Sequence, residues 1–283
     1  MARIVVGIDG STHADLALRW AVREAQLRDA ELELVHGYAV EVLRTALRES
    51  SRELAEGTVA QVVARNGELL DGVKWSTTLT PLVRGQYAHA LVEAGDEAEL
   101  VVVGSRGLDG FAALLLGSTS YRTAGHAPCP VAVVRGGDSA EAARSVVVGI
   151  DDSRVARRAL RWAVEEATLR RVPLTVVHAY LLPTLHLLGD ARTDREIAQV
   201  RTWAQERAEA VMSNALTTIG AGDLPLERVT ALGSPAGVLL DHTRPDDLLV
   251  VGCRGRTTLG RMVLGSVSHQ VLHHAAGTVV VAP

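Results

Sequence analysis

Val6-Gly7-Ile8-Asp9-Gly10-Ser11 recurs as Val148-Gly149-Ile150-Asp151-Asp152-Ser153, an offset of 142 residues. At that offset Ala17–Tyr38 matches Ala159–Tyr180 at 14 of 22 positions, including Trp20/Trp162 and His36/His178. Farther along the offset becomes 148, pairing Gly85/Gly233, Gly104/Gly252, Gly107/Gly255 and Gly117/Gly265. The period is far too long for a solenoid, so the chain is a duplicated domain. Domain 1 is expected over 1–136 and domain 2 over 145–283. A polar linker over 137–144 joins them, beginning at Gly137-Asp138-Ser139-Ala140-Glu141. The length of 283 residues agrees, since about 150 residues make one domain with its own core.

Each copy alternates short apolar runs with helical patterns. Ile4–Ile8 is an apolar run of the kind buried on both faces of a parallel sheet. Leu18, Ala21, Val22 and Ala25 then fall on one helical face, as do Leu160, Ala163, Val164 and Ala167. Thr12-x-x-Asp15 reads as a capping box opening the first of these helices. Further strands are expected over 32–36, 77–84, 100–104 and 131–135, and further helices over 41–66, 86–95 and 118–124. Asn66-Gly67 stops the long helix. Pro81 removes a ladder donor and assigns the third strand to a sheet edge. The fold class is therefore α/β: a parallel sheet with helices on both faces, in two copies.

Composition narrows the chemistry. Net charge is −4, which lacks the basic face of a nucleic-acid or anionic-membrane binder. Of 29 basic residues only Lys74 is lysine, and no G-K-[ST] occurs, which excludes a Walker-type loop. No apolar run approaches the roughly 18 residues that span a bilayer. The first residues turn acidic too soon for a secretory leader, and Cys129 and Cys253 make no disulfide framework. A cytoplasmic protein is expected.

Open parallel sheets bind ligands beyond the carboxyl ends of their strands. Two strand ends carry unusual residues, Gly7-Ile8-Asp9-Gly10-Ser11 and Gly104-Ser105-Arg106-Gly107. The latter opens the segment Gly104-x2-Gly107-x9-Gly117-Ser118, repeated as Gly252-x2-Gly255-x9-Gly265-Ser266. Glycines let several backbone N–H groups converge on phosphate oxygens, and a helix N-terminus favours the anion. Ser118 and Ser120 add hydroxyl donors, and none of this requires lysine. The plainer alternative is a glycine-rich turn with a serine cap.

G-x2-G-x9-G-[ST] after an early V-G-I-D-x-S strand end resembles the universal stress protein family, in its ATP-binding branch. The resemblance spans nearly the whole chain and matches tandem members common in actinobacteria. It implies two Rossmann-like domains of the adenine nucleotide alpha hydrolase type, each a five-stranded parallel sheet ordered 3-2-1-4-5. It also implies one ATP per domain, with or without Mg2+, between the first and fourth strands, and a regulatory role in stress or dormancy. Carried over by position, Asp9 and Asp151 would meet the ribose side. Backbone at Gly7, Ile8 and Gly37, and at Gly149, Ile150 and Ala179, would meet adenine. Val103 and Gly104, with Val251 and Gly252, would line the ribose and first phosphate. Gly107, Gly117, Ser118, Thr119 and Ser120 would hold the phosphates. Gly255, Gly265, Ser266, Val267 and Ser268 would do so in the second copy. One departure is Gly85-Gln86-Tyr87, where the second copy keeps the family's G-x-P as Gly233-Ser234-Pro235. Assembly is implied through the fifth strands, around Val131–Val134 and Val279–Val281, as an intrachain pseudo-dimer or a homodimer. A protein partner of unknown identity is implied as well.

Several residues admit two readings. Asp9 and Asp151 serve either as ligands or as turn residues, and Arg106 and Arg254 either clamp phosphate or lie in solvent. His36 and His178 read as backbone-bonded histidines. His269, His273 and His274 have metal-compatible spacing but no companion ligand, and no metal is expected. Cys253 replaces Ser105 and is either a redox-sensitive loop thiol or a small loop residue. No hydrolytic constellation or G-x-G-x-x-G fingerprint is present, and no second acidic group is obviously placed for magnesium-assisted phosphoryl transfer. An enzyme on the same scaffold, such as a slow ATPase or adenylating protein, and a nucleotide-free interaction module are the rival classes.

Overall fold

The computed structural model describes residues 2–39, 45–83, 86–107, 116–136, 143–182, 194–219, 224–255 and 264–283. Gly85 and most of the expected linker lie outside the described residues. The first half runs β1 (Arg3–Gly7), α1 (Thr12–Arg28), β2 (Glu31–Ala39), α2 (Thr45–Arg65), α3 (Gly67–Leu70), β3 (Trp75–Leu82), α4 (Tyr87–Ala94), β4 (Leu100–Gly104), α5 (Ser118–His126) and β5 (Val131–Val134). The second half runs β6 (Val146–Gly149), α6 (Arg154–Arg170), β7 (Leu174–Tyr180), α7 (Asp194–Thr217), β8 (Leu226–Leu232), α8 (Pro235–Asp241), β9 (Leu248–Gly252), α9 (Ser266–His274) and β10 (Val279–Ala282).

The strands form one ten-stranded sheet, β3-β2-β1-β4-β5-β10-β9-β6-β7-β8. Each half is a parallel 3-2-1-4-5 array, and the halves meet where β5 and β10 pair antiparallel, Val133 opposite Val279. These valines are fully buried, so the fifth strands close each other's edge within one chain. Pro81 lies on the edge strand β3 opposite Tyr38, where its missing N–H costs no central ladder bond.

Strand alternation divides the core between two faces. Ile4, Val6, Leu32, Leu34, Leu100 and Val102 pack under α1 and α2, and Val146, Val148, Leu248 and Val250 under α6 and α7. Val5, Val101 and Val103 face α4 and α5, and Val147, Leu249 and Val251 face α8 and α9. The start of α1 differs from the sequence expectation. Ser11 is the cap, accepting from Ala14 N, whereas Asp15 accepts from Arg65 and Asn66. A side chain one residue earlier reaches the orphan N–H first.

α1 and α6 add a second contact between the halves, on one face of the sheet. Glu24 and Glu166 are fully buried there and bond to both Arg28 and Arg170. Arg28 also lies over the Trp162 ring and Arg170 over Trp20, at 5.6 and 5.3 Å from the ring centroids. Burial, and then the Glu166 carboxylate, push Glu24 up to about 7 against the pull of Arg170 and Arg28. On the opposite face, buried Arg135 donates to the carbonyls of Leu272 and Ala275 at the end of α9.

Candidate functional site

Two crevices open at the carboxyl ends of the strands, one per half, of about 780 and 720 Å3. Both sizes suit a small-molecule site. The first lies where β1 and β4 are neighbours but their following helices leave opposite faces of the sheet. This is the switch point at which an open α/β sheet leaves a gap.

Gly7, Ile8, Asp9, Gly37, Val103, Gly104, Gly107, Gly117, Ser118, Thr119 and Ser120 all line the first crevice. Gly149, Ile150, Asp151, Ala179, Val251, Gly252, Gly255, Gly265, Ser266, Val267 and Ser268 all line the second. Residues from four separate segments of each half are thus brought to one cavity. Arg106 and Arg254 line the crevices as well.

The carboxylates are held by their own turns. Asp9 Oδ1 accepts from Ser11 N at 2.9 Å, and Asp151 Oδ1 accepts from Ser153 N at 2.9 Å. The second oxygen of each faces the glycine segment. One oxygen of each carboxylate thus makes the turn, while the other lies against the glycine segment that lines the crevice. His36 Nδ1 donates to the Ile8 carbonyl at 2.7 Å and His178 Nδ1 to Ile150 at 2.9 Å. Each histidine ties the end of its second strand to the end of the first.

The glycine segments close on themselves. Gly117 N donates to Ser105 O at 2.8 Å and Gly265 N to Cys253 O at 2.7 Å. The helices that follow receive no side-chain cap, unlike α1, α6 and α8, which Ser11, Ser153 and Ser234 cap. The first turns of α5 and α9 line the crevices, so the positive end of each helix dipole and first-turn N–H groups without a side-chain cap lie at the crevice wall.

Two expectations change in detail. Ser120 and Ser268 are buried, and their hydroxyls donate to Gly104 O and to Cys253 and Gly265 O. Their protons serve the loop, so Ser118 and Ser266 are the hydroxyls turned outward at these helix starts. Cys253 is buried among apolar residues of the α8–α9 face, because the loop turns its small side chain inward. The His269 and His273 rings lie 4.6 Å apart between centroids and tilted by 48°, and His269 Nδ1 meets the Tyr121 hydroxyl at 3.3 Å. Among the described residues no group of three or more His, Cys, Asp or Glu side chains is placed to hold a metal ion.

Sequence reasoning missed the helical walls of each crevice: Tyr87, Ala88 and Leu91 of α4 line the first, and Pro235 and Leu239 of α8 line the second. Ser51, Leu54, Ala55 and Thr58 of α2 also line the first, and Trp203, Ala204, Arg207 and Val211 of α7 also line the second. The signal was faint, because these two helices diverged most between the copies.

The universal stress protein family model matches residues 1–135 and again 143–283. The chain belongs to the universal stress protein family. A universal stress protein of Mycolicibacterium smegmatis is 32% identical over 294 residues, covering 98% of this chain and 96% of its own. One from Mycobacterium tuberculosis is 32% identical over 303 residues, covering 99% of this chain and 96% of its own. The crystal structure of a universal stress protein from Archaeoglobus fulgidus superposes with TM-score 0.70 at 19% identity, covering 99% and 97% of the two chains. A functionally unknown Pseudomonas aeruginosa protein superposes at TM-score 0.66 and 20% identity, covering 100% of this chain and 92% of its own. The tandem universal stress protein fold thus extends over the full chain. Among the described residues no helix is long and apolar enough to cross a membrane.

Proposed function

We propose that the protein binds one ATP in each half and acts in the cytoplasm as a nucleotide-dependent regulator of a stress or dormancy response, not as an enzyme. One observation carries the reading. In both crevices a carboxylate at the first strand end faces a glycine segment that runs into a helix with an uncapped N-terminus. Backbone N–H groups and the helix dipole suit phosphates, and the carboxylate suits ribose hydroxyls. The strand-end backbone at Gly37 and Ala179 is left for the base. Magnesium would enter on the phosphates and keep most of its waters. A regulator follows from the same geometry. Backbone N–H groups would cradle the phosphates, and among the described residues lining each crevice Asp9 or Asp151 is the one carboxylate, whereas phosphoryl transfer uses a second acidic group. The output would be a change in packing or partner contact between bound and free states.

The test is the small-molecule content of the purified protein, read by mass after denaturation and followed by ATP titration. Adenine nucleotide released from the protein, or bound on titration, supports the reading. Neither being found contradicts it and favours the interaction-module class. Turnover above a few per minute that is lost in Asp9→Asn with Asp151→Asn would move the protein to the enzyme class.

A further inference from the structure

The walls supplied by α2 and α7 align at an offset of 149, placing Trp203 at the position of Leu54, Ala204 at Ala55 and Arg207 at Thr58. The alignment is fixed by packing: Ala55 and Val59 are buried in α2 where Ala204 and Ala208 are buried in α7. The two crevices, alike along their glycine segments, therefore differ on this wall. The first offers an aliphatic side chain and a small hydroxyl. The second offers an indole and, one turn on, a guanidinium.

Trp203 is 55% exposed although it lines a crevice, and the neighbouring lining residue Leu181 is 65% exposed. An indole left in water beside a cavity is unusual for a residue whose burial stabilises a core strongly. The position within the crevice gives the reason. α7 packs over β7 and β8, and the glycine segment and α9 lie on the other side of β6, beyond β9. The crevice is thus amphipathic along its length. It is rich in N–H donors at the β9 end and gains apolar surface at the β7 end, where Ala179, Leu181 and Trp203 stand, with Arg207 one turn further along α7. A ligand with phosphates at one end and a flat ring at the other matches that gradient.

We propose that Trp203 is the base-stacking residue of the second crevice, holding the nucleotide base from the α7 wall, where the first crevice has Leu54 and carries its aromatic lining on other elements, at Tyr38 and Tyr87. The inference rests on the nucleotide reading above and extends it. The two sites are not equivalent, because their aromatic side chains come from different walls. Stacking of a base on an aromatic side chain is a substantial part of binding where it occurs, and it tolerates any base because every base has a π-face.

The experiment uses the full chain carrying Ser118→Asp, which sets the first crevice aside, and titrates ATP and inorganic triphosphate separately. Trp203→Ala is expected to weaken ATP about ten-fold or more and to leave triphosphate binding unchanged. Trp203→Phe should keep most of the ATP affinity. ATP should also quench tryptophan fluorescence in the parent, and that quench should vanish in Trp203→Phe. Equal ATP affinity in the parent and in Trp203→Ala overturns the inference while leaving the nucleotide reading intact. Equal losses for ATP and triphosphate also overturn it, because Trp203 would then only shape the crevice. A parent that binds neither probe overturns both readings together.

Discussion

Asp9 lies against Gly107 so closely that a Cβ on the glycine would stand 2.6 Å from Asp9 Oδ2; for Gly255 and Asp151 Oδ2 the separation is 3.1 Å. The carboxylate after the first strand and the glycine after the fourth are thus fitted to each other, in both halves. Gly107→Ala should push the Asp9 carboxylate aside and weaken ATP at the first crevice about ten-fold, with little change in unfolding. Gly104→Ala is a different case. Its Cβ would meet the backbone oxygen of His13 at 2.6 Å, and neither β4 nor α1 can give way easily. It should cost about 1–3 kcal/mol of stability. Urea unfolding and ATP titration on the two variants separate the two effects.

Ser118 and Ser266 open α5 and α9 at positions where a carboxylate favours the helix and opposes a bound phosphate. Ser118→Asp and Ser266→Asp should each hold or raise the thermal midpoint. Each should lower ATP affinity at its own crevice by about ten-fold or more. The neutral variants Ser118→Asn and Ser266→Asn should bind nearly as the parent does. Calorimetric titration of the single variants reads each crevice in turn.

The cluster of Glu24, Arg28, Glu166 and Arg170 should behave as a unit. Arg170→Ala leaves two buried carboxylates with one guanidinium and should cost about 3–5 kcal/mol. Replacing all four residues by apolar ones of similar volume should recover most of that loss. Urea unfolding of the single and quadruple variants checks both statements. Equal stability of Arg170→Ala and the parent would show that the cluster does not hold the halves together.

The same cluster gives a pH dependence with a definite sign. Glu24 keeps its proton up to about 7 when folded, against 4.5 as the ordinary value. The folded state therefore holds a proton that the unfolded chain has released. This contribution to stability is full below about 4.5 and is lost as pH rises through about 7, at up to about 1.4 kcal/mol per pH unit. Other carboxylates slope the opposite way, so the readout is a difference: the parent minus Glu24→Gln in urea unfolding from pH 4.5 to 7.5. A flat difference would contradict the assignment.

Much of this architecture is legible in the chain. Buried runs such as Ile4–Ile8 and Leu100–Gly104 can only be inner strands of a two-sided sheet. The recurrence of Val6–Ser11 at Val148–Ser153 doubles whatever one copy does. The strand-end residues of both crevices are legible for the same reason, since glycine spacing and a carboxylate at a strand end carry local meaning. What the sequence hides is long-range. Glu24 with Arg28, and Glu166 with Arg170, look like ordinary solvated i,i+4 pairs, and only the packing of α1 on α6 turns them into one buried cluster. Ser120 and Ser268 look like phosphate donors until their hydroxyls are seen bonded beneath the loop. Trp203 looks like one more apolar residue on a helix until the register of α7 sets it beside the crevice.

Nucleotide occupancy is the central claim, and equilibrium dialysis of the full chain against ATP tests it most directly. The account predicts two equivalents of ATP per chain at saturation, with affinity about ten-fold lower at one site in Ser118→Asp, at the other in Ser266→Asp and at both in the double variant. No bound ATP in the parent, or parent affinity at both sites of the double variant, would contradict it.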